Sequence, residues 1–408
     1  MSNASPTTVD VPAATKHHKI VIVGGGSGGI AVAARLCRAL SNADVAVVEP
    51  SEDHYYQPFW TLVGAGVVTA EKSRRKEQGL IPAKATWIRD RVTAFAPDHD
   101  QVTLSSGERL GYDYLVVAAG LQLNWNQVEG LEGNVGSNGI CSNYAYDQCS
   151  KTWDTLKAFK GGDALFTMPV PPIKCAGAPQ KIMYLADDHF RKAGVRDQST
   201  VHYYSGTPGI FSVKPFAKTL NEVIARKGIE THFKHQLTRI DPDAKQATFT
   251  ELDSQEETTV SYDMIHVTPP QGPPEFVKTS PLANNAGWVD VDKHTLQHAK
   301  YPNVFSLGDV SSLPTSKTGA AIRKEAPVLV TNLLATIKGE ALTASYDGYA
   351  SCPLTTGYGK LVLAEFDYDL NPAPSFPFDT TKERWSMYQL KRYGLPVLYW
   401  RAMMKGLA

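Results

Sequence analysis

The stretch Lys19-Ile-Val-Ile-Val23-Gly24-Gly25-Gly26-Ser27-Gly28-Gly29 decides how the first part of this chain folds. The apolar, β-branched run KIVIV reads as a buried strand, and it runs directly into the glycine loop. Ile30–Leu40, rich in Ala and Leu, reads as a helix, and Asp44–Val48 as the next strand, ending at Glu49. Strand, G-x-G-x-x-G loop, helix and strand within about 30 residues make the βαβ unit that binds a dinucleotide. Gly24 permits the tight turn, Gly26 lets backbone approach a pyrophosphate, and Gly29 lets helix pack on strand. Ser27 and Gly28 open the helix, whose N–H groups and partial positive charge suit phosphates. Glu49 is placed to accept hydrogen bonds from a ribose, and its charge disfavours a 2′-phosphate.

Two later segments separate FAD from NAD. Tyr112–Gly120 (YDYLVVAAG) is a strand ending in small residues, and Tyr301–Val310 (YPNVFSLGDV) is another, ending in Gly308-Asp309. Together with the glycine loop they resemble the pattern of two-dinucleotide flavoproteins. That resemblance implies FAD as cofactor, with Asp309 on its ribitol and a helix from Thr315 aimed at the ring; otherwise Asp309 is a turn or cap residue. Between these segments, strands at Ala164–Met168, around His202–Tyr204 and at Met264–Thr268, with a helix over Pro179–Lys192, suggest a second Rossmann-like domain. Its phosphate turn would be Pro169–Gln180, which holds one glycine, several prolines and Cys175. It cannot cradle a pyrophosphate, so the second nucleotide site is expected to be lost.

The predicted fold is α/β with two Rossmann-like domains and a C-terminal membrane-interface region. The spans are a disordered arm over 1–18, an FAD domain over 19–155 and 263–340, the inserted domain over 156–262, and a C-terminal region over 341–408. Lys+Arg and Asp+Glu balance at 41 each, with no run of like charges, which argues against nucleic acid. No apolar stretch reaches the length of about 18 residues needed to span a bilayer. The first residues show neither a secretory signal nor a transit-peptide pattern. Five cysteines at wide spacing, and histidines away from ligand spacing, predict no metal site and no disulfide framework.

Cys37 reads as helix packing, and Cys141 and Cys149 as loop residues without a base. Cys175 sits in a turn before a helix, beside Lys174, where dipole and ammonium favour thiolate. Cys352 stands in SCPLTTGY (351–358), after a loop and before the strand Lys360–Phe366. The segments KCAGAPQKIMY (174–184), HVTPP (266–270), PTSKT (314–318) and SCPLTTGY (351–358) resemble the sulfide:quinone oxidoreductase family, in its mitochondrial-type branch. So do YQPFWTLVGAG (56–66), AEFDY (364–368) and FPFDTTKERWSMY (376–388).

The resemblance implies that Cys175 and Cys352 form the redox disulfide or sulfur-bridged pair beside the flavin. It marks Gln57, Gly120, Lys317 and Lys391 as further cofactor contacts; Lys391 is equally readable as a surface lysine. Hydrosulfide would open the bridge, leaving a persulfide on Cys352, while the Cys175 thiolate donates to the flavin. A membrane quinone collects the electrons, and sulfite, glutathione or sulfide takes the outer sulfur. Phe59, Trp60 and Phe366 are the candidate quinone residues.

The tail Arg384–Ala408 interleaves aromatics with Lys391, Arg392, Arg401 and Lys405. It reads as a helix lying in a membrane surface through Leu398, Trp400 and Met404, or as a helix packed on its own core or on a homodimer partner. The first reading predicts a monotopic protein, and the resemblance, through its quinone, implies a respiratory membrane, bacterial cytoplasmic or mitochondrial inner. The competing enzyme class is an NAD(P)H-dependent flavoprotein quinone or disulfide reductase. The missing second glycine loop and the absence of a CxxxxC pair count against it.

Overall fold

The KIVIV run lies in the middle of a parallel sheet, with Val45–Val48 on one side and Tyr114–Val117 on the other. A strand covered on both faces must be apolar at every position, which explains why the run does not alternate. The computed structural model describes residues 13–408. The first strand starts earlier than expected, at Lys16. Lys16, His17 and His18 pair with Leu110, Gly111 and Tyr112, because the partner strand Arg109–Val117 is long enough to meet their backbone groups. The expected arm therefore ends before Lys16, and residues 1–12 of it lie outside the described residues.

The sheet continues through Ala85–Ile88 beyond Val45–Val48. On the other side the Val92–Ala96/Gln101–Leu104 hairpin joins in antiparallel sense. Val304–Ser306 also pairs in parallel with Arg109–Val117, so the chain comes back to its first sheet after a long excursion. The helix Ser27–Ala39 packs against Gly319–Lys338, which starts at Thr318, whose hydroxyl accepts the Ala321 N–H at 3.1 Å. That start lies a few residues later than Thr315.

The excursion builds a five-stranded parallel sheet in the order Ile140–Cys141, Met264–His266, Gly162–Met168, Ser199–Ser205, Glu230–Phe233. Two of its strands lie outside the span 156–262, so this sheet draws on both flanks of the expected insertion. The antiparallel strands His235–Asp241, Gln246–Glu251 and Glu257–Ser261 follow its edge. Cys352 lies inside a strand of its own, Ala350–Gly357, opposite Ala364, in a hairpin with Lys360–Phe366. Gly359, at φ +78°, makes the turn that lets this segment pair, and Pro353 is tolerated because the hairpin has only two strands. Among the described residues no helix is long and apolar enough to cross a membrane.

The helix-on-strand contact has no slack. A Cβ at Gly29 would lie 1.8 Å from the Gly24 carbonyl oxygen. Gly29→Ala is expected to cost at least about 3 kcal/mol, read as a lower midpoint in urea unfolding of the purified protein.

Candidate active site

A cavity of about 430 Å³ opens at the C-terminal end of the first strand, where α/β sheets bind ligands. Gly24, Gly26, Ser27, Gly28 and Glu49 line it, together with Gln57, Gly120, Asp309, Lys317, Lys391 and Cys175. Gly29 lies beneath, against Gly24, and Cys352 lies behind Cys175, its neighbours Ser351 and Pro353 reaching the cavity.

The lining fits a dinucleotide. A Cβ at Gly26 would meet no protein atom within 4 Å, so this is where a ligand can touch backbone. The helix Ser27–Ala39 has no side-chain cap, which leaves its first N–H groups free for a pyrophosphate. Glu49 Oε2 accepts the Gly25 N–H at 2.7 Å and Oε1 accepts that of Ser51 at 2.7 Å, which fixes the carboxylate at the loop. Asp309 is held above the usual carboxylate range by burial, against the pull of Lys317 and Lys174. Buried and unpaired, the Asn143 amide, Tyr144 hydroxyl and His266 Nδ1 belong to residues lining the same cavity, the signature of a polar ligand.

The two cysteines meet at this cavity. Their sulfurs are 3.9 Å apart across 177 residues of chain. Cys175 sits at φ +51°, a conformation a non-glycine residue rarely adopts. Its N–H is held by the Lys317 carbonyl at 2.8 Å, and its own carbonyl accepts the Ala178 N–H at 2.6 Å. The ammonium on its sulfur is that of Lys181, which donates at 3.1 Å. Lys174, the neighbour expected there, turns away to Gln57 Oε1 at 2.8 Å.

The Cys352 thiol, then Lys181 and Lys391, hold Cys175 well below the ordinary thiol range despite burial. Cys352 is pushed up by the adjacent Cys175 and by burial. Burial with the neighbouring Lys181 brings Lys391 down to about 7, and burial brings Lys174 down to about 8. Lys391 is a buried wall residue, not a surface lysine. Cys141 and Cys149 are buried, and burial pushes both up to about 12.

Residues 18–155 match the family model described as pyridine nucleotide-disulphide oxidoreductase. The mitochondrial sulfide:quinone oxidoreductase of Dictyostelium discoideum is 49% identical over 391 residues, covering 95% of this chain and 86% of that protein. Its Mus musculus counterpart is 46% identical over 394 residues, covering 96% and 88%. The chain belongs to the sulfide:quinone oxidoreductase family. It is a flavoprotein oxidoreductase with the Rossmann-like α/β fold expected from the sequence. The solved sulfide:quinone oxidoreductase of Aquifex aeolicus shares that fold, with a TM-score of 0.80 at 20% identity over 96% of this chain and 92% of its own.

Within this family fold the inner side of the tail packs on the chain's own core, the second of the readings given for it above. Trp385–Gln389, a π-helical turn over Leu390–Gly394 and Leu395–Arg401 form one broken helix. Trp400 and Met404, expected to face a membrane, are buried. Tyr399 shares a hydrogen bond with Ser27 Oγ at 2.6 Å and with His54 Nε2 at 2.5 Å, while His54 Nδ1 meets Glu77 at 3.1 Å. Leu395, Leu398 and Met403 also line the cavity. Of the expected quinone residues, Trp60 lines it, Phe59 packs on Tyr56, and Phe366 packs on Phe211 away from it.

Two outcomes test the geometry. Gly26→Ala, which meets no protein atom, is expected to leave folding intact but to lower flavin retention through a desalting column. Lys181→Met removes a cation that favours the anion, so the Cys175 pKa must rise. The pH midpoint of iodoacetamide labelling of the reduced protein is expected to move up by about one unit, while Lys181→Arg keeps it low.

Proposed function

We propose that this protein oxidises hydrogen sulfide at the Cys175–Cys352 pair, with FAD as its flavin, and passes the electrons to a membrane quinone. The observation that carries the reading is the pair itself, 3.9 Å apart at the flavin cavity with Lys181 on one sulfur. The names of the relatives agree with it.

Gly24, Gly26, Ser27, Gly28 and Gly29 would hold the pyrophosphate, Glu49 a ribose, and Asp309 the ribitol, with Gln57, Gly120, Lys317 and Lys391 around the rest. When bound, FAD supplies the two-electron acceptor between thiolate and quinone. The resting enzyme carries the Cys175–Cys352 bridge. Hydrosulfide attacks the Cys352 sulfur, the S–S bond breaks, and Cys175 leaves as thiolate while Cys352 becomes a persulfide. That direction follows from acidity, because the sulfur with the lower pKa is the better leaving group and Lys181 stabilises Cys175 alone at contact distance. A small nucleophile of the sulfite, glutathione or sulfide class then takes the outer sulfur from Cys352.

The exposed residues of the tail support a peripheral seat on a respiratory membrane, the mitochondrial inner membrane being the one the relatives' names suggest. Trp385, Tyr393 and Val397 are 68%, 58% and 53% exposed, with Arg401 and Lys405 at the surface nearby. Leu398 is both exposed and part of the cavity wall, which suits entry of a quinone from lipid. An NAD(P)H reductase finds no support in the second domain. Its turn gives the Val170 N–H to Gln236 Oε1 at 2.8 Å and the Lys174 N–H to Gln271 Oε1 at 2.8 Å, donors a phosphate would need.

The test is anaerobic titration with sulfide while the flavin absorbance is followed. Wild type is expected to bleach, and Cys175→Ser and Cys352→Ser to bleach at least 100-fold more slowly, about 2.7 kcal/mol of barrier. Equal rates in all three, or rapid bleaching by NADH, would overturn the reading. Tyr393→Asp/Val397→Asp is expected to abolish sedimentation with anionic liposomes and leave sulfide bleaching unchanged.

A further inference from the structure

On the outer strands of the second sheet, parallel pairing sets His202 opposite Glu230 and Tyr204 opposite His232. Alternation along each strand puts all four side chains on one face. His202 Nδ1 lies 3.3 Å from His232 Nε2 and 3.5 Å from Glu230 Oε2. The three ligand atoms all fall within 4.8 Å of one another, the one such group among the described residues. Two donors at about 2.0–2.2 Å from one tetrahedral ion stand about 3.3–3.6 Å apart. The two separations from His202 Nδ1 are of that size, and the third pair stays within 4.8 Å.

The surroundings prepare the ligands. His202 Nε2 lies 3.3 Å from Asp163 Oδ1. With its Nε2–H given to that carboxylate, His202 keeps the Nδ1 lone pair for a metal, the outer arrangement that metal-binding histidines use. The His232 ring is fixed by stacking on Tyr204 (4.2 Å, 11°), which stacks in turn on Phe249 (3.8 Å, 14°). His235 stands apart: its Nδ1–H donates to the Phe233 carbonyl at 2.7 Å, and its ring centre is 6.2 Å from that of His232. None of these residues lines the flavin cavity.

We propose that His202, Glu230 and His232 bind a divalent transition metal of the zinc class, with Asp163 orienting His202. Two imidazoles and a carboxylate suit such an ion. The Glu230 side chain is 59% exposed, so water completes the coordination. The ion clamps the short edge strand Glu230–Phe233 to Ser199–Ser205, a structural role separate from the thiol chemistry.

The experiment uses the full-length, flavin-loaded Cys175→Ser/Cys352→Ser protein, so that zinc cannot occupy the dithiol. After chelator treatment it is titrated calorimetrically with Zn²⁺ alone, and its melting temperature is recorded with and without the ion. One equivalent bound and a higher melting temperature are expected. His202→Ala and His232→Ala should abolish binding, the exposed Glu230→Gln should weaken it, and Asp163→Asn should weaken it by about 10–100-fold. His235→Ala should leave it unchanged. Absence of stoichiometric binding, or binding that keeps its affinity in Glu230→Gln, His202→Ala and His232→Ala, would overturn the proposal and leave a hydrogen-bonded imidazole pair.

Discussion

A thiol taken out of water normally becomes a weaker acid, as Cys141 and Cys149 show, and the whole site depends on reversing that at Cys175. The reversal comes from the Cys352 thiol and from the Lys181 ammonium at 3.1 Å, and the fold is arranged to bring them there. Lys181 stands in the first turns of the helix Ala178–Ala193 and can look back at Cys175 only because the chain turns sharply at Cys175 and Gly177. A Cβ at Gly177 would come within 2.2 Å of Leu354 Cδ2, so the Leu354 side chain, in the strand that carries Cys352, would have to move. The Lys317 carbonyl ties the same turn to the helix start at Thr318. Three distant parts of the chain therefore converge on one sulfur. Their convergence makes a thiolate affordable in a place that would otherwise forbid it.

The two Rossmann-like sheets make opposite use of the same position. In the first, the turn after the central strand is glycine, its N–H groups are free, and the cavity begins there. In the second, the equivalent turn is rich in proline, and its N–H groups at Val170 and Lys174 are taken by Gln236 and Gln271. What a nicotinamide domain would spend on holding a phosphate is spent here on holding Cys175 still.

Much of this was readable in advance, and the pattern of success has a physical reason. The glycine loop, its strand and its helix are a local motif, each residue answering to a neighbour within a few positions. The loss of the second loop was readable for the same reason. Lys181 was not singled out, although it stands within the cysteine motif. Proximity in sequence favoured Lys174, but that side chain turns to Gln57 Oε1 instead. The strand that holds Cys352 was not indicated, because its pairing with Ala364 depends on a turn at Gly359 that its own sequence does not announce. The strand start at Lys16 depends on the length of a partner almost 100 residues away. The cluster of His202, Glu230 and His232 is not visible in the sequence, because His202 and Glu230 become neighbours only through the register of parallel strands.

The tail shows the limit most clearly. Arg401 and Lys405 on one helical face suggested a surface helix with Trp400 and Met404 toward lipid, which assumes α-helical periodicity through Lys405. The α-helix ends at Arg401 and Met403–Lys405 form a tighter 3-10 turn, so that face is not continuous. Tyr399 and Trp400 then point inward, and Tyr399 joins Ser27 of the phosphate loop to His54 and Glu77. The residues left outside are Trp385, Tyr393 and Val397. One broken helix thus has a lipid-suited outer side and an inner side that closes the flavin cavity. Removing it would take away the cavity wall together with any membrane contact. Only substitutions on its outer side can separate seating on a membrane from holding the flavin.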